Sequence, residues 1–144
     1  MSTVVPFTWP GWRNLIDSYK FAPQAGGAYI IALCKPIHRL NEIDPDGILD
    51  VGESNCLRTR LTAFVGCARK TRKSSHMAGW RFGYYDFASQ WPLEGLWVTW
   101  LKASAEQSSY ALENQILRLY FVKHFELPPL NYKFNWEHEK KHGA

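Results

Sequence analysis

Three apolar runs along the chain have the length and the β-branched and aromatic content of buried strands. They are GGAYIIALC at 26–34, ILDVG at 48–52 and GLWVTWLKA at 95–103. The segment between the first two, KPIHRLNEIDPDG at 35–47, closes with a D-P-D-G turn signal, so we expect a hairpin with a long loop. WRFGYYDF at 80–87 fits either a strand or an irregular aromatic segment.

Two further segments carry apolar residues at helical spacing. In the first, which Ser54 or Asn55 can cap, these residues are Leu57, Leu61, Phe64 and Val65. The second covers 104–125 and ends before a pair of prolines. Its apolar face consists of Leu112, Ile116, Leu119 and Tyr120. The order of hairpin, helix, strand and long helix predicts a small α+β domain, with a three-stranded, mainly antiparallel sheet flanked by helices.

Composition divides the chain into three parts. Residues 1–25 are rich in Pro, Trp and Phe, and we expect an N-terminal extension packed on the domain, with one helical turn around Trp12–Tyr19. Residues 26–134 form the domain, and 135–144 have the composition of a polar C-terminal tail.

The chain of 144 residues has a net charge of +4 and a pI near 9.0, which favours contact with a polyanion. Its three cysteines include no C-x-x-C pair, so neither a disulfide framework nor a thiolate zinc site is expected. The sequence has no signal-peptide pattern and no run of ~18 apolar residues. We therefore expect a soluble, cytoplasmic protein with no membrane contact. Neither a G-x-x-x-x-G-K-[ST] loop nor a G-x-G-x-x-G motif is present, so no nucleotide cofactor is expected.

The segment HEKKH at 138–142 matches the H-E-x-x-H pattern, in which two histidines on one helix face bind zinc and the glutamate acts as a base. Only Gly143 and Ala144 follow it, so the sequence offers no downstream third ligand. The segment also lacks apolar residues that would hold a helix in a dry site. A solvated charged tail is the better interpretation.

A more informative set of short motifs is spread along the chain. It comprises GAY at 27–29, DVG at 50–52, Arg60, Glu113 and the asparagine of PPLN, Asn131. In this order and spacing the sequence resembles the GIY-YIG nuclease family over about residues 26–134. GAY looks like the GIY element and DVG like the YIG element, with Asp50 in place of the second tyrosine. The segment SNCLRTRL is similar to the family's arginine-bearing helix.

The resemblance implies a divalent-metal-dependent DNA endonuclease in which water attacks the scissile phosphate. Tyr29 would orient or activate the water, and Arg60 would stabilise the developing charge. Glu113 matches the family's metal-binding glutamate and would hold Mg²⁺ or Mn²⁺ against the phosphate. Asn131 matches the asparagine after the long helix and would fix the site from there.

The residue types also suit this chemistry by themselves. Glu113 would lie at the edge of a buried helix face, where an ionised carboxylate needs either a divalent cation or a neighbouring lysine or arginine. Leu57 and Phe64 would hold the stem of Arg60, which suits a transition state with charge on phosphate oxygens, although a surface arginine has the same spacing. Tyr29 is either a phenol that positions the water or a core residue. To act as a base it would need help from the metal or from an arginine, because the pKa of a tyrosine is ~10.

Two further groups extend the candidate site. His76 lies in a region where some family members carry a histidine that acts as an acid or a base. The alternative is a solvent-exposed loop histidine with no role in the site. The family's histidine one turn after the arginine is Phe64 here, so that role is absent or moved. The side chains expected to contact phosphates, unless they are merely solvated, are Arg58, Arg69, Lys70, Arg72, Lys73 and Arg81.

Asp50 is the departure from the family pattern. Its carboxylate could orient Tyr29 or Arg60 through a charge-assisted hydrogen bond, mark an altered or lost activity, or be a second metal ligand. We favour the orienting role. The alternative function is a catalytically altered module that binds nucleic acid or a protein partner. If the enzyme cuts one strand per site, cleavage of both strands requires a homodimer or two encounters.

Overall fold

The computed structural model describes residues 4–6, 8–73 and 75–131. The strands are β1 (Arg13–Asn14), β2 (Gly27–Ala32), β3 (Ile37–His38), β4 (Ile43–Asp44), β5 (Ile48–Ser54) and β6 (Trp97–Lys102). The main sheet has the order β1-β6-β2-β5, with every pair antiparallel, and β3 pairs with β4 in a separate two-stranded sheet.

The α-helices are α1 (Leu15–Ser18), α2 (Leu57–Ala68), α3 (Met77–Tyr84) and α4 (Ser109–His124). The two faces of the sheet carry separate apolar cores. On one face, Tyr29 and Ile31 of β2 pack with residues of α2 and α3. On the other, Ala28 and Ile30 pack with residues of α4. The chain therefore has an α+β fold around an antiparallel sheet, in which the central strand β2 is buried along its whole length.

A β-bulge in β5 breaks the alternation of its side chains. Ile31 pairs with Asp50, but the next residue, Ala32, pairs with Ile48, so Leu49 is an extra residue in the ladder. Ile48 packs in the α4 core, whereas Leu49 packs in the opposite core beside α2 and α3. Asp50 then lies on the same face of the sheet as Tyr29, with which its side chain bonds.

Helices α2 and α3 cross at very short range because two glycines line their contact. A Cβ at Gly79 would lie 2.7 Å from the carbonyl oxygen of Phe64, and one at Gly83 would lie 2.5 Å from that of Cys67. Any larger residue would push the two backbones apart. This close crossing determines where the beginning of α3 lies relative to the sheet.

The loop between β2 and β5 is fastened to α4. Asp44 is buried and accepts hydrogen bonds from the backbone N–H groups of Asp46 and Ile48 and from the hydroxyl of Tyr120. A single carboxylate therefore satisfies three donors at this junction, which holds the start of β5 against the long helix.

Several expectations need correction. The main sheet has four strands and not three, because Arg13–Asn14 of the N-terminal segment pairs with Val98 and Trp97 of β6. The segment 80–87 is not a strand, since its first five residues end α3. The hairpin loop contains β3 and β4.

In α4, Leu119 is 45% exposed and does not belong to the buried face, where Leu117 lies instead. The helix begins at Ser109, with the side chain of Ser108 as its N-cap, and not at residue 104. Among the described helices, none combines the length and apolar character needed to cross a lipid bilayer.

The α2–α3 contact can be tested with two matched substitutions. We expect Gly79→Ala to lower the free energy of unfolding by about 1–3 kcal/mol, because the added methyl group meets the Phe64 backbone. Gly95→Ala is the control, because nothing lies within 4 Å of its new Cβ. Urea unfolding of both variants measures the effect. Equal stability of Gly79→Ala and the wild type would show that the helices do not touch in this way.

Candidate active site

A cleft of about 190 Å³ opens beside β5, which is one of the two edge strands of the main sheet. The residues that the sequence marks as candidates for chemistry all line it: Tyr29, Asp50, Arg60, His76, Glu113 and Asn131. They come from β2, β5, α2, α4, the residue before α3 and the segment after α4. Arg81 of α3 and Glu53 of β5 line the same cleft.

Tyr29 reaches the cleft because it lies directly opposite a glycine. Its cross-strand partner is Gly52, and a Cβ on Gly52 would overlap the phenol ring and its hydroxyl. The ring therefore covers the glycine and extends toward the diagonal neighbour on β5, which is Asp50. There the Tyr29 hydroxyl donates a hydrogen bond of 2.9 Å to Asp50 Oδ2.

His76 completes this chain of hydrogen bonds from the other side. It is the N-cap of α3, and its Nδ1 accepts the backbone N–H of Gly79 at 3.2 Å. This bond assigns the proton of the neutral ring to Nε2. His76 Nε2 lies 2.6 Å from Tyr29 Oη and donates to it, while the Tyr29 hydroxyl donates onward to Asp50. The chain thus has a single direction, from histidine through tyrosine to carboxylate.

Burial dominates the ionisation of this trio. It raises the pKa of Tyr29 well above its ordinary value, and the Asp50 charge raises it further. Burial lowers the pKa of His76 to about 3, with a further contribution from Arg60. It raises the pKa of Asp50 to about 6, against the opposing effects of the Tyr29 hydrogen bond, Arg60 and Arg81. Near neutral pH, the tyrosine and the histidine are therefore neutral and Asp50 is ionised.

Two guanidinium groups lie in the cleft wall. Arg60 Nη1 donates to the carbonyl of Ser75 at 2.8 Å, which fixes the group in one place. A guanidinium has five N–H donors, so further donors remain for an anion. Arg81 Nη1 donates to the carbonyl of Leu130, joining α3 to the segment after α4. Both arginines lower the pKa of Asp50, which shows that their charge reaches the interior of the cleft.

Two carboxylates, those of Glu53 and Glu113, also line the cleft. Glu113 lies close enough to raise the pKa of Tyr29 by its charge. Glu53 accepts a hydrogen bond of 2.8 Å from the hydroxyl of Ser109, which ties β5 to the helix. In the described part of the chain, no three His, Cys, Asp or Glu residues are grouped so that they could hold a metal ion. The donors present suit Mg²⁺, which binds to one or two carboxylates and otherwise to water and phosphate oxygens.

Asn131 has a structural task that its sequence motif does not reveal. Its Oδ1 accepts the backbone N–H of Val51, and its Nδ2 donates to the Val51 carbonyl, both at 2.9 Å. The side-chain amide therefore pairs with the outer edge of β5 as a neighbouring strand would. The backbone N–H of Leu130 adds a bond of 2.8 Å to the carbonyl of Leu49. Together they hold the bulged strand in position at the cleft.

Of the six basic residues expected to contact phosphates, Arg81 lines the cleft and the other five do not. Arg69, Lys70, Arg72 and Lys73 are all exposed on the loop that follows α2. Arg58 instead donates its Nε–H to the carbonyl of Ala22 at 2.8 Å.

Sequence reasoning missed three features of the cleft. It gave no role to Glu53, it counted Arg81 among the phosphate-contacting residues without placing it in the cleft, and it did not foresee that His76 would be buried. The sequence signal for the burial of His76 is G-x-x-x-G at 79–83, whose two glycines allow a close helix contact just after the histidine. The HEKKH segment lies outside the described residues. Comparison with protein-family models, with curated proteins and with solved structures finds no match to this chain.

The raised pKa of Asp50 predicts a dependence of stability on pH. The folded protein keeps the Asp50 proton up to about pH 6, whereas the unfolded chain loses it near the ordinary value of 3.8. The folded state binds more protons in this window, so its stability falls as the pH rises through it.

Asp50→Asn lacks this titration and keeps the Tyr29 partner oxygen. From pH 4 to pH 8 we expect the variant to gain up to about 3 kcal/mol relative to the wild type, in urea unfolding with EDTA present. A difference between the two proteins that stays constant across this range would contradict the buried, proton-retaining carboxyl.

Proposed function

We propose that this chain is a divalent-metal-dependent DNA endonuclease with a GIY-YIG-like site. The observation that carries the proposal is the convergence of six residues from separate segments on one cleft. The α+β fold with its antiparallel sheet and the order of its elements are compatible with the resemblance. The exposed basic loop after α2 offers phosphate contacts beside the cleft.

The relay of hydrogen bonds suggests how the attacking water is activated. Burial makes a free Tyr29 phenolate inaccessible at neutral pH, so the tyrosine does not act as a base alone. Instead, Tyr29 Oη accepts a proton from the water as the Tyr29 proton passes to Asp50 Oδ2. The water oxygen bonds to phosphorus, and the bond from phosphorus to the sugar oxygen breaks, so the sugar oxygen leaves with the electron pair and takes up a proton from bulk water. In this mechanism Asp50 is the final proton acceptor.

His76 has a positioning role in the proposed mechanism. Its Nε2–H bond to Tyr29 keeps the tyrosine proton directed at Asp50, and a pKa of about 3 keeps the ring neutral. The family resemblance puts a histidine at the position of Phe64, one turn after Arg60. The Phe64 ring instead packs edge-on against His76 at 5.1 Å between centroids. The histidine that contacts the site is therefore His76, at the N-cap of α3, and not a residue of α2.

Charge stabilisation is assigned to Arg60 and Glu113. Arg60, fixed by Ser75, donates to the non-bridging oxygens as negative charge grows on them. Glu113 would hold the divalent cation, and Glu53 lines the same cleft. When bound, such a cation supplies positive charge to the phosphate oxygens and lowers the pKa of a coordinated water.

A binding module without catalysis is the second candidate. The observation that favours it is the hydroxyl of Tyr29, which is engaged by both Asp50 and His76. Such a module would bind DNA with the same basic loop and leave the phosphodiester bond intact. Nicking of a supercoiled plasmid with and without Mg²⁺ separates the two candidates.

The metal assignment predicts the behaviour of Glu113→Gln. We expect this variant to bind DNA with an affinity within about threefold of the wild type but to nick at least ~100-fold more slowly, because the cation is no longer held. Glu106→Gln, at an exposed position before α4, is the matched control and should cut normally. Normal nicking by Glu113→Gln in Mg²⁺ would remove Glu113 from the site.

The proton relay predicts a pH profile. The wild-type cleavage rate should rise with pH through about 6, because Asp50 accepts a proton only when ionised. Asp50→Asn should cut about 100-fold more slowly at pH 8 and lose this rise. Single-turnover rates from pH 5 to pH 9 measure both. If Asp50→Asn keeps the wild-type profile, Asp50 is not the proton acceptor.

A further inference from the structure

A second pocket, of about 270 Å³, lies directly beside the cleft. It is lined by Lys73, Ser75, His76, Met77 and Trp80. His76 and Met77 also line the cleft, so the two spaces share these residues as a common wall. A group bound in the second pocket would therefore be the immediate neighbour of a group bound in the cleft.

The second pocket presents an aromatic plane whose orientation is fixed. The Trp80 indole stacks on Tyr84 at 5.5 Å between centroids with 24° between the planes, and it meets the Tyr85 ring nearly edge-on at 5.2 Å. A ring braced on two sides loses little freedom when a planar ligand stacks on it. Met77 also lines this pocket and is 51% exposed, and its flexible thioether side chain can adapt to a flat apolar surface.

Charge at the pocket favours one kind of ligand. Lys73 lies in the lining, and the exposed Arg69, Lys70 and Arg72 precede it on the same loop. The carboxylates of the cleft, Asp50, Glu53 and Glu113, do not line this pocket, and its lining among the described residues includes no acid. An apolar, flat-walled space with a cationic rim complements a nucleobase whose phosphates lie outside it.

We propose that this second pocket, lined by Met77 and Trp80, binds an unpaired nucleobase of the nucleotide next to the scissile phosphate. This inference rests on the proposed nuclease function and narrows its substrate. A base in continuous duplex DNA is stacked on both sides and paired with its partner, so extruding it costs free energy, whereas a base that is already unpaired enters without the cost of breaking a pair. The preferred substrate is then DNA with an unpaired nucleotide at the cut, such as a flap, gap or bulge.

The test uses oligonucleotides with 2-aminopurine next to the expected cut, either unpaired in a one-nucleotide bulge or paired in a continuous duplex. Binding is followed in EDTA, so that it is measured without cutting. We expect the bulged DNA to bind about tenfold more tightly than the duplex, with quenching of the 2-aminopurine as it stacks on Trp80.

Trp80→Ala should reduce this preference to within about twofold and abolish the quenching, while its affinity for the duplex stays unchanged. Met77→Glu, at an exposed position, is a second variant with the same expected loss and little risk to folding. Phe21→Ala, an exposed aromatic residue that lines neither pocket, is the control and should behave as the wild type.

The outcomes separate the pocket from the nuclease function. If the 2-aminopurine of the bulged DNA is quenched but no DNA is cleaved, the nuclease function is refuted and the base-binding pocket is supported. Equal affinity for bulged and duplex DNA, or quenching that persists in Trp80→Ala, would overturn the pocket even if the protein cuts. A pocket that responds to no oligonucleotide would have another occupant, such as a protein side chain, and the proposal would be wrong.

Discussion

The position of the Tyr29 ring over Gly52 is the contact on which the candidate site depends. Because position 52 has no side chain, the phenol lies flat across β5 and reaches the carboxylate of Asp50, two residues away. The same hydroxyl meets His76 at the beginning of α3. One cross-strand pair thus joins the sheet, the edge strand and a helix N-terminus at one atom. This arrangement also explains why an acid is tolerated at position 50, because the carboxylate of Asp50 accepts a hydrogen bond from the buried Tyr29 hydroxyl.

The edge of the sheet explains how residues from both faces meet in one cleft. Tyr29 lies on the face that packs against α2 and α3, whereas Glu113 belongs to the helix on the opposite face. At β5, one of the two edges of the sheet, residues from both faces line a common space. An edge strand normally exposes unpaired backbone groups. Here the side-chain amide of Asn131 bonds to the backbone N–H and carbonyl of Val51. The edge strand is therefore paired at the point where it forms the wall of the cleft.

Periodicity predicted β2, β5, β6, α2 and α4, because each carries enough apolar residues for its period to be recognised. It could not predict β1, since a two-residue strand has no period and forms only because β6 offers it an edge. The helical state of α3 was equally hidden. Its aromatic residues favour strands, and the close contact of Gly79 and Gly83 with α2 overrides that preference.

The candidate site was predicted through its residue types and not through its geometry. Spacing along the sequence could mark Asp50 and Asn131, but their hydrogen bonds depend on the bulge at Leu49 and on the path of the chain after α4. The burial of His76 depends on α3 as well. These are long-range consequences of packing, and no local pattern encodes them.

The most direct test of the central claim is single-turnover cleavage of DNA by Tyr29→Phe in Mg²⁺. This change removes only the oxygen that receives the proton from water and passes its own to Asp50. The relay predicts cleavage slower by a factor of roughly 100 to 10,000 with DNA affinity unchanged. Tyr85→Phe, at an exposed position, should cut as fast as the wild type. Cleavage by Tyr29→Phe at the wild-type rate would contradict the proposed mechanism.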